Sequence, residues 1–546
     1  MRYLIFSALL FAMVPACRDS GGKGAVPDGD TVSGQTPEGA TLIPPKPGQL
    51  EELRARTDPS VDESGEALAE ATSGTPETSE PGVGEEGPGA PSPEMAEAEG
   101  REGPTPEGGV ARFPRPRYVR GIYLNAWTAG SRGRRARLID MVRRTELNTV
   151  VIDIKDASGY LSHDSGVPMA REIGATGEIR IKDLPVLLDR LQEAGIYPIA
   201  RIVVAKDPIL TEGYPELAIQ DSAGGPWMDG QGVKWLNLYH PGVWEYHVQL
   251  AKEMIEVGFP EIQWDYVRFP DAPESLLSRA VYPLSEGRAR TQAVRDFLRY
   301  SRETLGADGV RVTADVFGVT TSYSMDVGIG QLWESFIDQV DVALPMVYPS
   351  HYWTGSFGLS DPNAYPYETV RQALRDAVRR STLVDGAGGT RPWLQDFTLG
   401  EPEYGAPEVR AQIQAAYDAG IQEWILWNPG SRYTEAALIP ARGLPSWLEP
   451  VMRVGGEVVA VSKRFSVLGE AEPTAIGADD RNPVLEDPTA PPPQVLPGSR
   501  ALPPVPIPDT VGPVSPNRTP RRRTGARGGV RRGLPYPATP GGFRLP

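Results

Sequence analysis

Between about residues 118 and 430, short apolar or β-branched runs alternate with amphipathic stretches. The runs occupy 118–127, 148–156, 197–207, 261–270, 311–318, 341–349, 391–397 and 423–430. Their length, their Val, Ile, Tyr and Trp content and the turn residues around them predict eight strands. The intervening stretches predict helices. In 183–195, Asp183 stands as an N-cap, Leu184, Leu187, Leu188 and Leu191 recur at helical spacing, and Gly195 stops the run. Segments 242–258, 290–306, 367–380 and 406–420 repeat the pattern ahead of the fourth, fifth, seventh and eighth strands. Strict strand and helix alternation with eight strands in roughly 320 residues predicts a (β/α)8 TIM barrel. A doubly wound open sheet is the rival, but no glycine-rich phosphate loop follows the first strand.

A barrel places chemistry at the carboxyl ends of its strands, and strand alternation sorts the residues there by face. In the fourth strand Ile262, Trp264 and Tyr266 share the helix-facing side, which turns Gln263 and Asp265 inward. In the fifth strand Val312, Ala314 and Val316 face outward, leaving Thr313 and Asp315 inward. In the second, Val150, Ile152 and Ile154 face outward, leaving Asp153 and Lys155 inward. Three strands are thus expected to converge on one polar centre. Ionised carboxylates inside a barrel are costly unless paired, and neighbouring ones raise each other's pKa. That is the condition for an acid/base pair of the kind glycoside hydrolysis requires, with Asp265 and Asp315 as candidates. The alternative is structural: Asp265 would end its strand in an ion pair with Arg268 or Lys155.

Composition changes the picture outside that region. The 546 residues hold 60 Gly and 56 Pro, too many for one compact globule. Residues 1–17 read as an export signal: a basic start, an apolar run at 3–14 too short to span a bilayer, and Val-Pro-Ala-Cys at 14–17. The last resembles a lipoprotein lipobox with Pro15 as a departure, and Cys17 is the only cysteine in the chain. Lipidation of Cys17 would place the protein at the bacterial cell envelope; an ordinary secretory signal with an incidental cysteine is the alternative. Residues 18–110 form an acidic Pro- and Gly-rich linker with too little apolar content to fold, and 470–546 a Pro-rich tail with a basic patch at 521–532. Both tails are expected to be disordered around a barrel domain at 112–465. The formal charge of −16 argues against nucleic acid as the main partner.

Residues 118–127, 148–161, 261–270, 314–318 and 344–352 together resemble a bacterial glycoside hydrolase family, a domain of unknown function with a TIM barrel distantly like those of alpha-amylases and alpha-galactosidases. The resemblance covers about residues 119–434, and Asp-Tyr-Val-Arg-Phe-Pro at 265–270 is its most specific mark. It implies a polysaccharide or oligosaccharide substrate. In amylase-type enzymes the fourth strand ends in an aspartate nucleophile, the fifth in a carboxyl acid/base and the seventh in a supporting aspartate, and Asp265, Asp315 and Asp396 occupy comparable places. Gln263 replaces the arginine usual two residues before the nucleophile, and Asp315 the usual glutamate. Asp396, Asp153 and Asp156 therefore stay open as proton donors.

Sugar clefts use aromatic platforms with polar edges. Trp127, Trp227, Trp235, Tyr239, Tyr348, His351 and Trp353 lie where loops are expected and are candidates, with core packing the alternative for any one ring. His163, His240, His247 and His351 are scattered without ligand spacing, so neither metal nor cofactor is expected. No Gly-x-Ser-x-Gly elbow occurs, which lowers esterase-type readings. A barrel that binds carbohydrate or serves as an envelope scaffold without catalysis is the competing function.

Overall fold

The computed structural model describes residues 112–306 and 309–471. Cys17, the linker and all but the first residues of the C-terminal tail lie outside the described residues. At the centre is a closed barrel of eight parallel strands: β1 Arg120–Leu124, β2 Thr149–Lys155, β3 Tyr197–Val203, β4 Glu261–Asp265, β5 Arg311–Phe317, β6 Val342–Met346, β7 Trp393–Gln395 and β8 Trp424–Trp427. Each pairs with the next in chain order, and β8 returns to β1 with Arg120 opposite Trp424. The seam between β6 and β7 is interrupted. Gly389–Thr390 pairs with Val342 and Ala343, Arg391 still donates its N–H to the Ala343 carbonyl at 2.9 Å, Pro392 falls out of the ladder, and Trp393 then meets Met346. A proline offers no N–H to a ladder, which accounts for the gap.

The outer layer contains α1 Arg132–Arg144, α2 Leu184–Glu193, α3 Pro241–Val257, α4 Arg290–Leu305, the single turn α5 Trp333–Phe336, α6 Pro366–Ser381 and α7 Ala406–Asp418. Asp183 is the N-cap of α2, yet its carboxylate makes no cap bond; it accepts two 2.7 Å hydrogen bonds from Arg135 of α1. A bidentate charge-assisted pair outweighs a neutral N–H donor. Outward strand positions meet these helices: Trp264 packs on Phe297 and donates its indole N–H to Ser301 Oγ at 2.7 Å, both on α4. After β8 come a 3-10 turn at Glu435–Ala437 and the hairpin Val451–Val454 with Glu457–Ala460, tied to α7 by Arg453 and Glu408 at 2.6 Å. Arg464 on Asp418 at 2.6 Å and Glu470 on Arg371 at 2.7 Å carry the ordered contacts slightly beyond residue 465.

The amino end of the barrel is sealed by buried charge. Arg391 reaches Glu261 at 2.6 Å and Glu423 at 3.0 Å with no exposure to solvent. At the opposite end, Gly318 follows β5 where any Cβ would sit 2.3 Å from the Met346 carbonyl oxygen. That close approach lets the loops after β5 and β6 crowd together around a cleft.

Candidate active site

Arg201, in the middle of β3, organises the polar centre. Its register neighbours are Asp153 on β2 and Gln263 on β4, so all three side chains share one level of the barrel. The guanidinium bonds Asp153 on one side and Asp265 on the other, with Nε 3.0 Å from Asp265 Oδ2. The same Nε lies 3.8 Å from Asp315 Oδ2. Tyr123 of β1 donates its hydroxyl to Asp153, and its ring stacks on Trp427 of β8 with centroids 4.1 Å apart. Both rings lie against the guanidinium, at 5.5 and 5.3 Å. Asp315 accepts from Gln263 Nε2 at 2.9 and 3.0 Å and from the Trp393 indole at 2.7 Å.

Three buried carboxylates surround one guanidinium, so full ionisation would leave uncompensated negative charge in a medium that solvates it poorly. Burial, followed by the charge of Asp265, holds the Asp315 carboxyl well above the ordinary carboxylate range; Arg201, Trp393 and Gln263 oppose the rise without cancelling it. Burial also pushes Asp153 up to about 6, with Asp156 adding to the rise and Arg201 and Tyr123 resisting it. Asp315 and Asp153 are therefore both displaced toward holding a proton, beside Asp265 in its contact with Arg201. Acid/base chemistry uses a carboxyl raised in this way.

The cleft above is walled by Phe317, Met346, Tyr348, Trp393 and Trp427, with His351 and Tyr352 continuing it between the loops after β5 and β6. β4 stops at Asp265 because Tyr266 takes a left-handed backbone (φ 50°), a strained conformation for an aromatic residue and a frequent mark of functional sites. Tyr266 consequently leaves the helix-facing side expected from alternation and lies 5.9 Å from Trp235. Arg268 returns to the cleft wall two residues later.

Several expected positions need correction. Lys155 does not join the centre: the β2–β3 register shifts between Asp153 and Lys155, and the lysine is buried on Asp207 at 2.8 Å and the Val203 carbonyl at 2.7 Å. Asp265 pairs with neither Lys155 nor Arg268; Arg201 takes that place. Trp227, Trp235 and Tyr239 are buried in the loop after β3 rather than open as platforms. Trp227 donates to the Leu276 carbonyl at 2.9 Å, Trp235 to Asp229 at 2.8 Å and Tyr239 to the Arg288 carbonyl at 2.9 Å. Trp353 is likewise packed, edge-on to Tyr323. Asp396 turns away from the centre and accepts from Thr434 N at 2.9 Å and Oγ1 at 2.7 Å, while burial pushes it up to about 6. Asp156 works at the rim: it holds Arg180, whose guanidinium covers Trp127 at 5.2 Å. Trp127 itself is 57% exposed. Tyr348 and His351 line the cleft. Arg201, Tyr123, Trp393 and Trp427 were not anticipated. Arg201 could have been, since it shares the inward phase of Asp153 and Gln263 and is the sole charge in the apolar run 198–205. Among the described residues no group of three or more His, Cys, Asp or Glu side chains is arranged to hold a metal ion.

A parallel barrel with three buried carboxyls around one arginine, facing an aromatic cleft at its carboxyl end, has the make-up of a hydrolase-type barrel site. The family described as "Putative glycosyl hydrolase domain" matches residues 121–433, more than half of the chain, and the chain belongs to that family. The class of enzyme is therefore a glycoside hydrolase. Among curated proteins no sequence matches. Among solved structures, the chain is similar to a hypothetical protein from Ruminiclostridium thermocellum, with 38% identity over 36% of this chain and 97% of that one and a TM-score of 0.33. It is also similar to the PgaB (BpsB) glycoside hydrolase domain from Bordetella bronchiseptica, with 14% identity over 58% and 95% of the two chains and a TM-score of 0.42. A third is the alpha-galactosidase from Thermus thermophilus, with 15% identity over 63% and 67% and a TM-score of 0.35.

Proposed function

We propose that the protein is an exported, membrane-anchored glycoside hydrolase that cleaves a polysaccharide or oligosaccharide at the cell envelope with Asp315 as proton donor and Asp265 as the charged partner. One observation carries the reading: both carboxyls contact the same nitrogen of Arg201, at a depth where burial raises the Asp315 carboxyl. Because Nε stands 3.0 Å from one Oδ2 and 3.8 Å from the other, those two oxygens are at most about 7 Å apart, an upper bound that excludes nearly all of the roughly 6.5–9.5 Å spacing of inverting carboxyl pairs. Asp315 gives its proton to the glycosidic oxygen as the C1–O bond breaks and the bonding pair leaves with that oxygen. Asp265 stabilises the positive charge at C1, either by bonding to it or by activating the water that replaces the leaving group. Trp127 at the rim offers a face for the apolar side of a sugar ring.

Asp265→Asn keeps shape and removes charge, so turnover on an envelope glycan panel should fall by about 10²- to 10³-fold or more while thermal melting stays near wild type. Arg201 retains Asp153 in that variant, so a melt lowered by about 4–7 °C, the equivalent of about 3–5 kcal/mol, would mark Asp265 as structural and reject the assignment. Glycan binding without hydrolysis by wild type itself would favour a binding or scaffold protein.

The apolar run at 3–14 and the lone Cys17 behind it support the anchor. Cys17→Ala should move the protein from the membrane to the soluble fraction with an unchanged barrel melt; retention on the membrane would refute it.

A further inference from the structure

Among the described residues six arginines are buried: Arg135, Arg201, Arg268, Arg380, Arg391 and Arg410. Five have a carboxylate partner, respectively Asp183, Asp153 with Asp265, Glu334, Glu261 with Glu423, and Glu146. Arg268 is 4% exposed and has none. Its one hydrogen bond runs from Nη1 to the Phe269 carbonyl at 3.2 Å. The guanidinium is otherwise enclosed by aromatic faces, with Phe317 at 4.6 Å, Tyr266 at 4.8 Å and Trp235 at 4.9 Å. Ring quadrupoles offset part of the cost of burying a cation, but Nε and Nη2 have no protein acceptor and keep their access to the cleft. The residue lines the same cleft as Asp265 and Asp315, in the loop that the left-handed Tyr266 bends back toward it.

We infer that Arg268 is the receptor for an acidic group on the substrate, and that the sugar bound beside the cleavage point is a uronic acid. This rests on the cleft being the sugar-binding site. A planar guanidinium edge matches the two oxygens of a carboxylate, and its aromatic walls remove competing water, which strengthens a charge-assisted pair. A neutral sugar would leave the cation unanswered in the closed complex. The aromatic rings also hold the guanidinium in one plane, so little side-chain entropy is lost when the carboxylate arrives.

The test is binding, independent of turnover, by calorimetry or saturation-transfer NMR on the full protein. The probes are glucuronate, galacturonate, glucose 6-sulfate, glucose and galactose. Wild type should bind at least one uronate about tenfold or more tighter than its neutral parent, with the gap narrowing at high salt. Arg268→Met should erase that preference and leave neutral-sugar affinity in place, and Arg268→Lys, which keeps the charge without the fork, should retain only part of it. If Arg268→Met does not fold, a weakened preference in Arg268→Lys decides for the proposal and an undiminished one decides against it. Equal binding of uronate and neutral sugar, or a preference for glucose 6-sulfate, would overturn the proposal while sparing the cleft as a carbohydrate site. Binding of no probe would overturn both.

Discussion

Replacing Arg201 by methionine removes the one cation that Asp153, Asp265 and Asp315 share. The volume is nearly conserved, so the loss is electrostatic. Breaking a buried pair by deleting one partner costs about 3–5 kcal/mol. For the roughly 360-residue described domain, unfolding entropy amounts to about 0.75 kcal/mol per kelvin, so the melt at pH 8 should drop by about 4–7 °C. The deficit should depend on pH in a definite direction. Asp153 and Asp315 are raised in the folded wild type, and Arg201 is among the groups holding them down. Without it they rise further. A carboxyl whose folded pKa lies above its unfolded value contributes stability that is complete below the unfolded value, near 4, and is lost as pH climbs through the folded one. Differential scanning calorimetry of Arg201→Met and wild type from pH 4.5 to 8 should therefore show nearly matching melts at the acid end and the full gap at the basic end. Arg201→Lys, which keeps charge but cannot bridge three carboxyls, should fall between. A gap that is constant with pH, or absent at pH 8, would refute the role assigned to the guanidinium.

Gln263→Met removes a donor from each oxygen of Asp315, where those bonds hold the pKa down. At about 1.5–3 kcal/mol for hydrogen bonds to a charged group, the alkaline limb of the kcat/KM profile should move up by about 1–2 pH units, and a downward shift would contradict Asp315 as acid. Lys155→Met leaves Asp207 buried without its cation and should lower the melt by about 4–7 °C, with kcat of the folded fraction unchanged. Lost turnover with an intact melt would restore Lys155 to the site.

The eight strands, their alternation with helices and the inward phase of Asp265 and Asp315 could be read from the chain because strand and helix periods are local. A residue's face follows from its neighbours two positions away, and Trp264 meeting α4 while Gln263 meets Asp315 is that rule at work. The same rule misplaced Lys155, because a bulge shifts the phase and depends on the partner strand. It misplaced Tyr266 because the strand ended one residue earlier, at a backbone turn that the apolar pattern does not encode. Whether an aromatic side chain becomes a platform or core was equally invisible: Trp227 is buried by a carbonyl 49 residues further along, whereas Trp127 stays at the rim under Arg180. The choice of ion partner was the largest decision left to tertiary structure. Alternation put Asp265 on the inner face and named Arg268 and Lys155 as partners for it, but Coulomb energy depends on distance in space. Barrel closure brought Arg201 between three carboxylates and left Arg268 among aromatic rings, facing the cleft.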